Sequence, residues 1–350
     1  MSSIDDDIVA AEDTGRRRLK SILRAVAGLA VFAAVLYWLA PDWAELGARA
    51  ELHPGWLLFG LAGTTVASIV TAARWKLLAE AMGGTKLPYM AYFYGLVVTR
   101  FIGQFTSTLA MDLVGRGLAL RSAGSERSLG HAAMQVVLER ILDMVLPVLL
   151  LIWVLAVRDG WPQRIGLGPG TSLLLCCAVF PAVAVPLLGP GVRLALKLYL
   201  ALRLRLDRRR RAQVEADAEA ELDHSQSDGT PPVTARLAGA VAIFSLLRFA
   251  TVVVQFWGIA LAVGLDLGWF EMTTATPIAQ LAGMLGLTPG GLGILEAGWA
   301  GGLGWVGLDA VDISLFVLAQ RMGVIAFFGL LSALSWPFAP RPGKGEKQAP

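Results

Sequence analysis

Apolar runs of about 20 residues recur along this 350-residue chain, and no other feature restricts its fold so strongly. An α-helix needs about 20 residues to cross roughly 30 Å of hydrocarbon, and within that slab it satisfies its backbone groups internally. Full spans are therefore predicted at 22–40, 55–73, 129–157, 171–192, 236–264 and 313–336. Charged residues are only 16% of the chain and hydrophobic ones 55%, against roughly 25% charged in a soluble domain, so an ordinary soluble enzyme is excluded. The expected class is an all-α integral membrane protein, a polytopic helical bundle of about six full spans. The first run begins near Ile22 behind Arg16, Arg17, Arg18 and Lys20 and reads as a retained span rather than a cleaved signal.

Cations assign the sides. Those within 16–24, then Arg74, Lys76 and Lys86, then Arg116, Arg121 and Arg127, then those within 193–211, and finally Arg341, Lys344 and Lys347 are expected in the cytoplasm. The segment 41–54 carries Asp42, Glu45 and Glu51 against Arg49, and the stretch around Asp266 and Glu271 has no cation. With Lys86 and Arg116 on one side, the apolar segment 87–115 must enter and leave by the cytoplasmic face. By the same reasoning 272–310 enters and leaves by the outer one. Both are read as opposed re-entrant helical hairpins, and non-helical backbone at membrane depth implies a polar cavity near the midplane. The organisation expected is a cytoplasmic tail at 1–21, a first membrane half at 22–202, an Arg-rich cytoplasmic linker at 203–235, a second membrane half at 236–337, and a cytoplasmic tail at 338–350. Asparagine is absent and arginine far outnumbers lysine, the usage of a high-GC bacterium, so the bacterial cytoplasmic membrane is the expected location.

Charges inside the spans carry the chemistry. His131, Gln135, Glu139 and Asp143 recur every four residues along one helix face, with Arg140 about 100° away. Arg248 lies deep in its span with Gln255 two turns on, Arg321 sits beside Gln320 in the last span, Arg100 lies inside the first hairpin, and Asp112 and Arg116 lie at its exit. Each costs at least about 2.5 kcal/mol if it faces lipid, so each is expected to face the bundle interior. Two readings stand. Glu139 and Asp143 neutralise Arg248 and Arg321 and hold helices in register, or the excess of Arg100, Arg140, Arg248 and Arg321 over Glu139, Asp143 and Glu296 receives an anion such as a lipid phosphate.

The segment "GLTPGGLGILEAGW" is the most irregular stretch at membrane depth. Pro289, Gly290, Gly291 and Gly293 are expected to form a hairpin tip that brings backbone N–H groups near a phosphate, with Glu296 one turn into the half-helix that follows. A packing kink is the alternative. Cys176 and Cys177 are read as packing residues, and His53, His131 and His224 are scattered. No metal site, cofactor, catalytic nucleophile or nucleic-acid partner is implied, and no Walker pattern occurs.

"LERILDMVLPVLLL", followed far downstream by "LTPGGLGILEAGWAGGL", resembles the E-R-x-x-D and P-G-G-x-G-x-x-E-A elements of a flippase-like family. That family is typified by the membrane half of lysylphosphatidylglycerol synthases. The likeness extends over 16–337 and includes "ARWKLLAEAMG" after the second span. Glu139, Arg140 and Asp143 match the first element, and Pro289, Gly290, Gly291, Gly293 and Glu296 the second. The first hairpin departs from the family, keeping Asp112 and Arg116 but lacking its proline and placing Met111 where a glycine is usual. The resemblance implies a bundle that moves lipids or lipid-linked headgroups between leaflets, without the soluble aminoacyl-transfer domain. Three function classes follow: a translocase for an anionic phospholipid or lipid-linked headgroup, a non-catalytic membrane partner of a lipid or polysaccharide biosynthetic enzyme, and an intramembrane lipid-modifying enzyme.

Overall fold

The computed structural model describes residues 37, 43–82, 86–125, 129–206, 235–284, 288 and 290–339. The span at 22–40 apart from Tyr37, the tail at 1–21, most of the linker and most of the C-terminal tail lie outside them. All regular structure among the described residues is helical. A short helix, α1 (Trp43–Arg49), precedes α2 (Pro54–Ala81), which opens with Pro54 in its first turn, where proline's missing N–H is no loss. A hairpin follows. Its first limb is α3 (Tyr89–Gly103), and its second, α4, runs without a break from Thr108–Ala110 through a π-helical turn, Met111–Gly115, into Arg116–Ser122. Then come α5 (Leu129–Arg158), the single turn α6 (Trp161–Arg164) and α7 (Pro169–Leu206). The second half repeats the pattern with α8 (Ala235–Ala262), a hairpin of α9 (Trp269–Met284) and α10 (Ile294–Trp305), and α11 (Ala310–Ser335). Five segments are long and apolar enough to cross a membrane: Pro54–Ala81, Gln135–Arg158, Pro169–Leu187, Arg236–Ala262 and Ala310–Phe338. They correspond to the predicted spans after the first.

A glycine seam fixes how the halves join. Helices α2 and α8 run antiparallel with Gly60 and Gly63 set against Gln255 and Gly258. A Cβ on Gly258 would lie 2.6 Å from the backbone nitrogen of Gly60, and one on Gly63 would lie 2.8 Å from that of Gln255. Small residues here let two backbones approach as closely as membrane helices do. At the far end of the seam the backbone N–H of His53 donates to the carbonyl of Ala262 at 2.8 Å.

That antiparallel pairing sends the hairpins in from opposite ends. The first leaves the end of α2, where α8 begins; the second leaves the end of α8, where α2 begins. Helices of 15 and 12 residues, α3 and α10, are about 22 and 18 Å long at 1.5 Å per residue, too short to cross about 30 Å of hydrocarbon. They turn back midway and meet tip to tip, the backbone N–H of Gly290 donating to the carbonyl of Thr106 at 2.8 Å.

The halves form an inverted repeat of span, hairpin and span. Each closing span packs on the other half's hairpin: α5 lies against α9, and α11 against α3. Aromatic contacts tie the second hairpin in, the Trp299 ring sitting 4.7 Å from Phe256 and 4.9 Å from Phe316 by centroid. The hairpin limits differ from those expected. The first extends past 115 to Ser122, because Arg116 turns inward to a carboxylate instead of marking a membrane edge, and the second occupies 269–305.

Candidate functional site

Six arginines and four carboxylates converge where the tips meet, and they sort into two layers. The inner layer is shielded almost entirely. Arg74, Arg116, Asp112, Glu139 and Glu296 have side chains at most 4% exposed. Arg74 holds Asp143 by two bonds, at 2.5 and 3.0 Å, donates to Ser245 Oγ at 2.9 Å, and lies 3.6 Å from Glu139. Arg116 donates to Glu139 at 2.7 Å, lies 3.3 Å from Asp112, and stacks over the Trp75 ring. Two-pronged contacts of this kind suit the planar guanidinium fork.

The outer layer faces a cavity of about 180 Å³, far above the roughly 10–15 Å³ that admits one water. Arg100, Arg140, Arg248 and Arg321 line it, each backed by an acid. Asp112 accepts from Arg140 and lies 3.6 Å from Arg100, and Asp143 lies 3.5 Å from Arg248. Glu296 binds Arg321 through Nε at 3.0 Å and through Nη2. Arg321 also spans the tip contact, donating to the carbonyl of Gly290 at 2.8 Å and to Gln104 Oε1 at 3.4 Å. The inverted repeat is visible in these side chains. Asp112 and Glu296 each sit in the first turns of a second hairpin limb, and each is held by an arginine of the next span, Arg140 or Arg321.

Of the pairing that one reading expected, Glu139 and Asp143 with Arg248 and Arg321, the Asp143–Arg248 contact is present and the rest is corrected. Glu139 serves Arg116 and Arg74, Asp143 serves Arg74 and Arg248, and Arg321 belongs to Glu296. The cause is register: Glu139 lies one turn from Asp143 toward α4, within reach of Arg116 and out of reach of α11. Arg74 is likewise corrected from a cytoplasmic flanking cation to a buried one, 1% exposed. It extends the small-residue face Gly60, Gly63, Ala67 and Thr71 by one more turn, the one signal that could have identified it. The expected excess of one positive charge becomes two once Arg74, Arg116 and Asp112 are counted.

The glycine-rich tip departs from expectation in one respect. Gly290, Gly291 and Gly293 have φ of +59°, +72° and +83°, in the left-handed region open to glycine. Their N–H groups are not turned to a ligand. They donate to Thr106, to Thr288 at 3.0 Å and to Glu296 Oε2 at 2.6 Å. Glu296 thus caps its own half-helix and occupies the dipole end that was expected to favour an anionic guest. Gly290 and Gly291 do line the cavity. Pro289 and the side chain of His131 lie outside the described residues. Gln104, Gln280, Ser68 and Thr71 also line the cavity and were not singled out from sequence.

Among curated proteins, none matches this chain. The sequence pattern described as the lysylphosphatidylglycerol synthase transmembrane region matches residues 25–332, which takes in both hairpins, every charged residue of the cluster, the first closing span and all but the end of the second. This multi-pass membrane protein belongs to that family.

Proposed function

We propose that the protein is a lipid translocase that moves a phospholipid or lipid-linked anionic headgroup between leaflets. One observation carries the reading: four arginines line a single cavity at the meeting point of hairpins entering from opposite ends, while the carboxylates that neutralise them stand mostly behind it. Guanidiniums held in place by buried acids present N–H donors to a phosphate without rearranging. Irregular backbone flanked by inverted repeats at mid-depth is the usual setting of a transport site. Arg100, Arg140, Arg248 and Arg321 bind the headgroup, Gly290 and Gly291 shape its path, and Glu139, Asp143, Glu296, Asp112 and Arg116 keep the guanidiniums in position. The end bearing Lys86, Arg121 and the 203–235 linker faces the cytoplasm of a bacterium, by its excess of cations.

The test is leaflet accessibility. The purified protein is placed in vesicles carrying a trace of acyl-labelled phosphatidylglycerol, and a membrane-impermeant quencher is added outside. Without protein only the outer-leaflet pool is quenched; with protein the inner pool is quenched too, and Arg248→Gln restores its protection. An inner pool that stays protected beside the wild-type protein would refute the translocase reading.

A further inference from the structure

The two halves close off the centre of the bundle by different means. Trp75 and Phe256 occupy the same position in α2 and α8, helices of 28 residues each, and the antiparallel pairing puts them toward opposite ends of the molecule. Their surroundings are unlike. Trp75 is held by directional contacts: its indole N–H donates to Gln135 Oε1 at 3.3 Å, and the Arg116 guanidinium lies 5.1 Å from its ring. Phe256, which lines the cavity, packs instead on the rings of Trp299 and Phe316, both fully buried. Phe316 stands five residues before Arg321 as Gln135 stands five before Arg140, so an aromatic contact replaces a hydrogen bond at the equivalent place. The same exchange recurs nearby. Gln255 stands in α8 where Arg74 stands in α2, Gln320 precedes Arg321 where Glu139 precedes Arg140, and Ala300 follows Glu296 by four residues where Arg116 follows Asp112. Separating a buried ion pair strands a charge at high cost, whereas apolar rings part without stranding one.

Trp299 gives the second seal a reason to part. Its ring is fully buried, and its indole nitrogen has no hydrogen-bond partner among the described residues. A buried tryptophan N–H usually finds an acceptor, so the closed seal holds a donor that opening to water would satisfy. The helices that carry it are built to tilt as a unit. A Cβ on Gly298 would lie 2.5 Å from Ala282 Cβ, and one on Gly302 would lie 2.6 Å from the carbonyl oxygen of Ala275, so α9 and α10 are seated backbone to backbone. Glu296 pins the inner end of α10 to Arg321 Nε at 3.0 Å. At the other end the connections are glycines in the left-handed region, Gly264 before α9 with φ of +85° and Gly307 after α10 with φ of +96° and open space around it.

We infer that the Phe256, Trp299 and Phe316 rings are the gate between the cavity and the end where α2 begins and α8 finishes, and that α9 and α10 open it by tilting about the Glu296–Arg321 pin while the first hairpin stays fixed. The inference rests on the lipid-translocase reading for what passes the gate. The gate itself follows from the packing.

Gate opening is measured apart from transport. In a background of Cys176→Ser and Cys177→Ser, Val252→Cys places a thiol in the cavity wall. Sulfonatoethyl methanethiosulfonate, a membrane-impermeant anion, is added to one side at a time of sealed vesicles of known protein orientation, and the modified fraction is followed by mass. Phe316→Ala is expected to speed modification from the side opposite Lys86 about tenfold, by raising the population of the open gate, and to leave the rate from the Lys86 side unchanged. Trp299→Phe keeps a ring and deletes the unmatched donor, so it should slow modification from the side opposite Lys86 several-fold and raise the melting temperature. Trp75→Phe deletes a donor that is bonded, and it should melt lower with that rate unchanged. An unchanged rate in Phe316→Ala, or an equal rise from both sides, overturns the gate. A lower melting temperature in Trp299→Phe overturns the role given to its N–H. If Phe316→Ala does not fold, the rate in Trp299→Phe decides, and an unchanged one overturns the gate. The quenching assay separates the two claims: this labelling pattern without lipid movement refutes the translocase and leaves the gate standing, whereas lipid movement with rates that ignore both substitutions does the reverse.

Discussion

Glu139 and Arg248 are neighbours in the charge cluster with different tasks, and substitution should tell them apart. Glu139 is buried against Arg116 and Arg74, away from the cavity. Glu139→Gln leaves two buried guanidiniums short of a counter-charge, and removing one partner of such a pair costs about 3–5 kcal/mol. The expected result is a large fall in melting temperature in detergent, with activity falling in step. Arg248→Gln instead removes a cavity-lining cation whose ion-pair partner among the described residues, Asp143, stays held twice by Arg74. Its melting temperature should stay near that of the wild type while lipid movement is lost. Sequence spacing revealed that these residues share the interior, because a four-residue repeat fixes a helix face. It could not reveal the pairing, since partner choice depends on the rotation of α4 and α11 about their axes, which no local pattern encodes. Arg74 was hidden for a related reason: beside Trp75 and Lys76 it looks like an interfacial anchor, and Asp143 and Glu139 on another helix are what make its burial tolerable.

At the scale of the elements, the glycine-rich tip separates two kinds of constraint. Gly290 has φ of +59°, and a Cβ there would lie 2.5 Å from the carbonyl oxygen of Gln104, a backbone atom with little room to retreat. Gly291 has φ of +72°, but its Cβ would meet nothing closer than 3.7 Å. Gly291→Ala should cost about 1–2 kcal/mol of backbone strain and keep much of the activity. Gly290→Ala should part the hairpin tips and abolish lipid movement, and thermal melting beside the vesicle assay checks both. A second element is fastened electrostatically. Arg49 at the end of α1 reaches Asp309 at 2.6 Å and Asp312 at 3.2 Å, across to the start of α11. The Asp312 N–H and the Arg49 guanidinium hold the Asp309 carboxyl below the usual carboxylate range. Its stabilising effect is therefore complete above about pH 4 and is lost as the pH falls through the lower, folded-state value. The melting-temperature gap between wild type and Asp309→Asn should be constant near neutrality and close in strong acid. The gap should be small, because the group is half exposed. The tip was legible as a turn from its glycines. Its contact with Gln104 and Thr106 was not, because the first hairpin lacks the matching proline and glycine pattern.

For the whole molecule, the decisive expectation is that Lys86 and Arg121 share one face. Both stand at the end of the bundle where α2 finishes and α8 begins, at the two feet of the first hairpin. Single cysteines at these positions should be labelled from the same side of sealed vesicles, and labelling from opposite sides would turn that hairpin into a crossing. Five of the six predicted spans coincide with long apolar helices, because length and hydropathy are properties of one segment at a time. The inverted repeat was barely legible, for it resides in geometry shared by unlike sequences: Asp112 with Arg140 echoes Glu296 with Arg321, yet the flanking residues differ. The glycine seam between α2 and α8 limits how such a machine can run. With a Cβ on Gly258 only 2.6 Å from a neighbouring backbone nitrogen, the ridges of the two helices are interlocked, and axial slippage would drive Cβ atoms into main chain. An elevator stroke, in which one half carries its cargo past the other, is blocked along this line. Tilting about it is not, so in the proposed translocase the seam would serve as a fulcrum, a pivot that stays where it is while the headgroup passes.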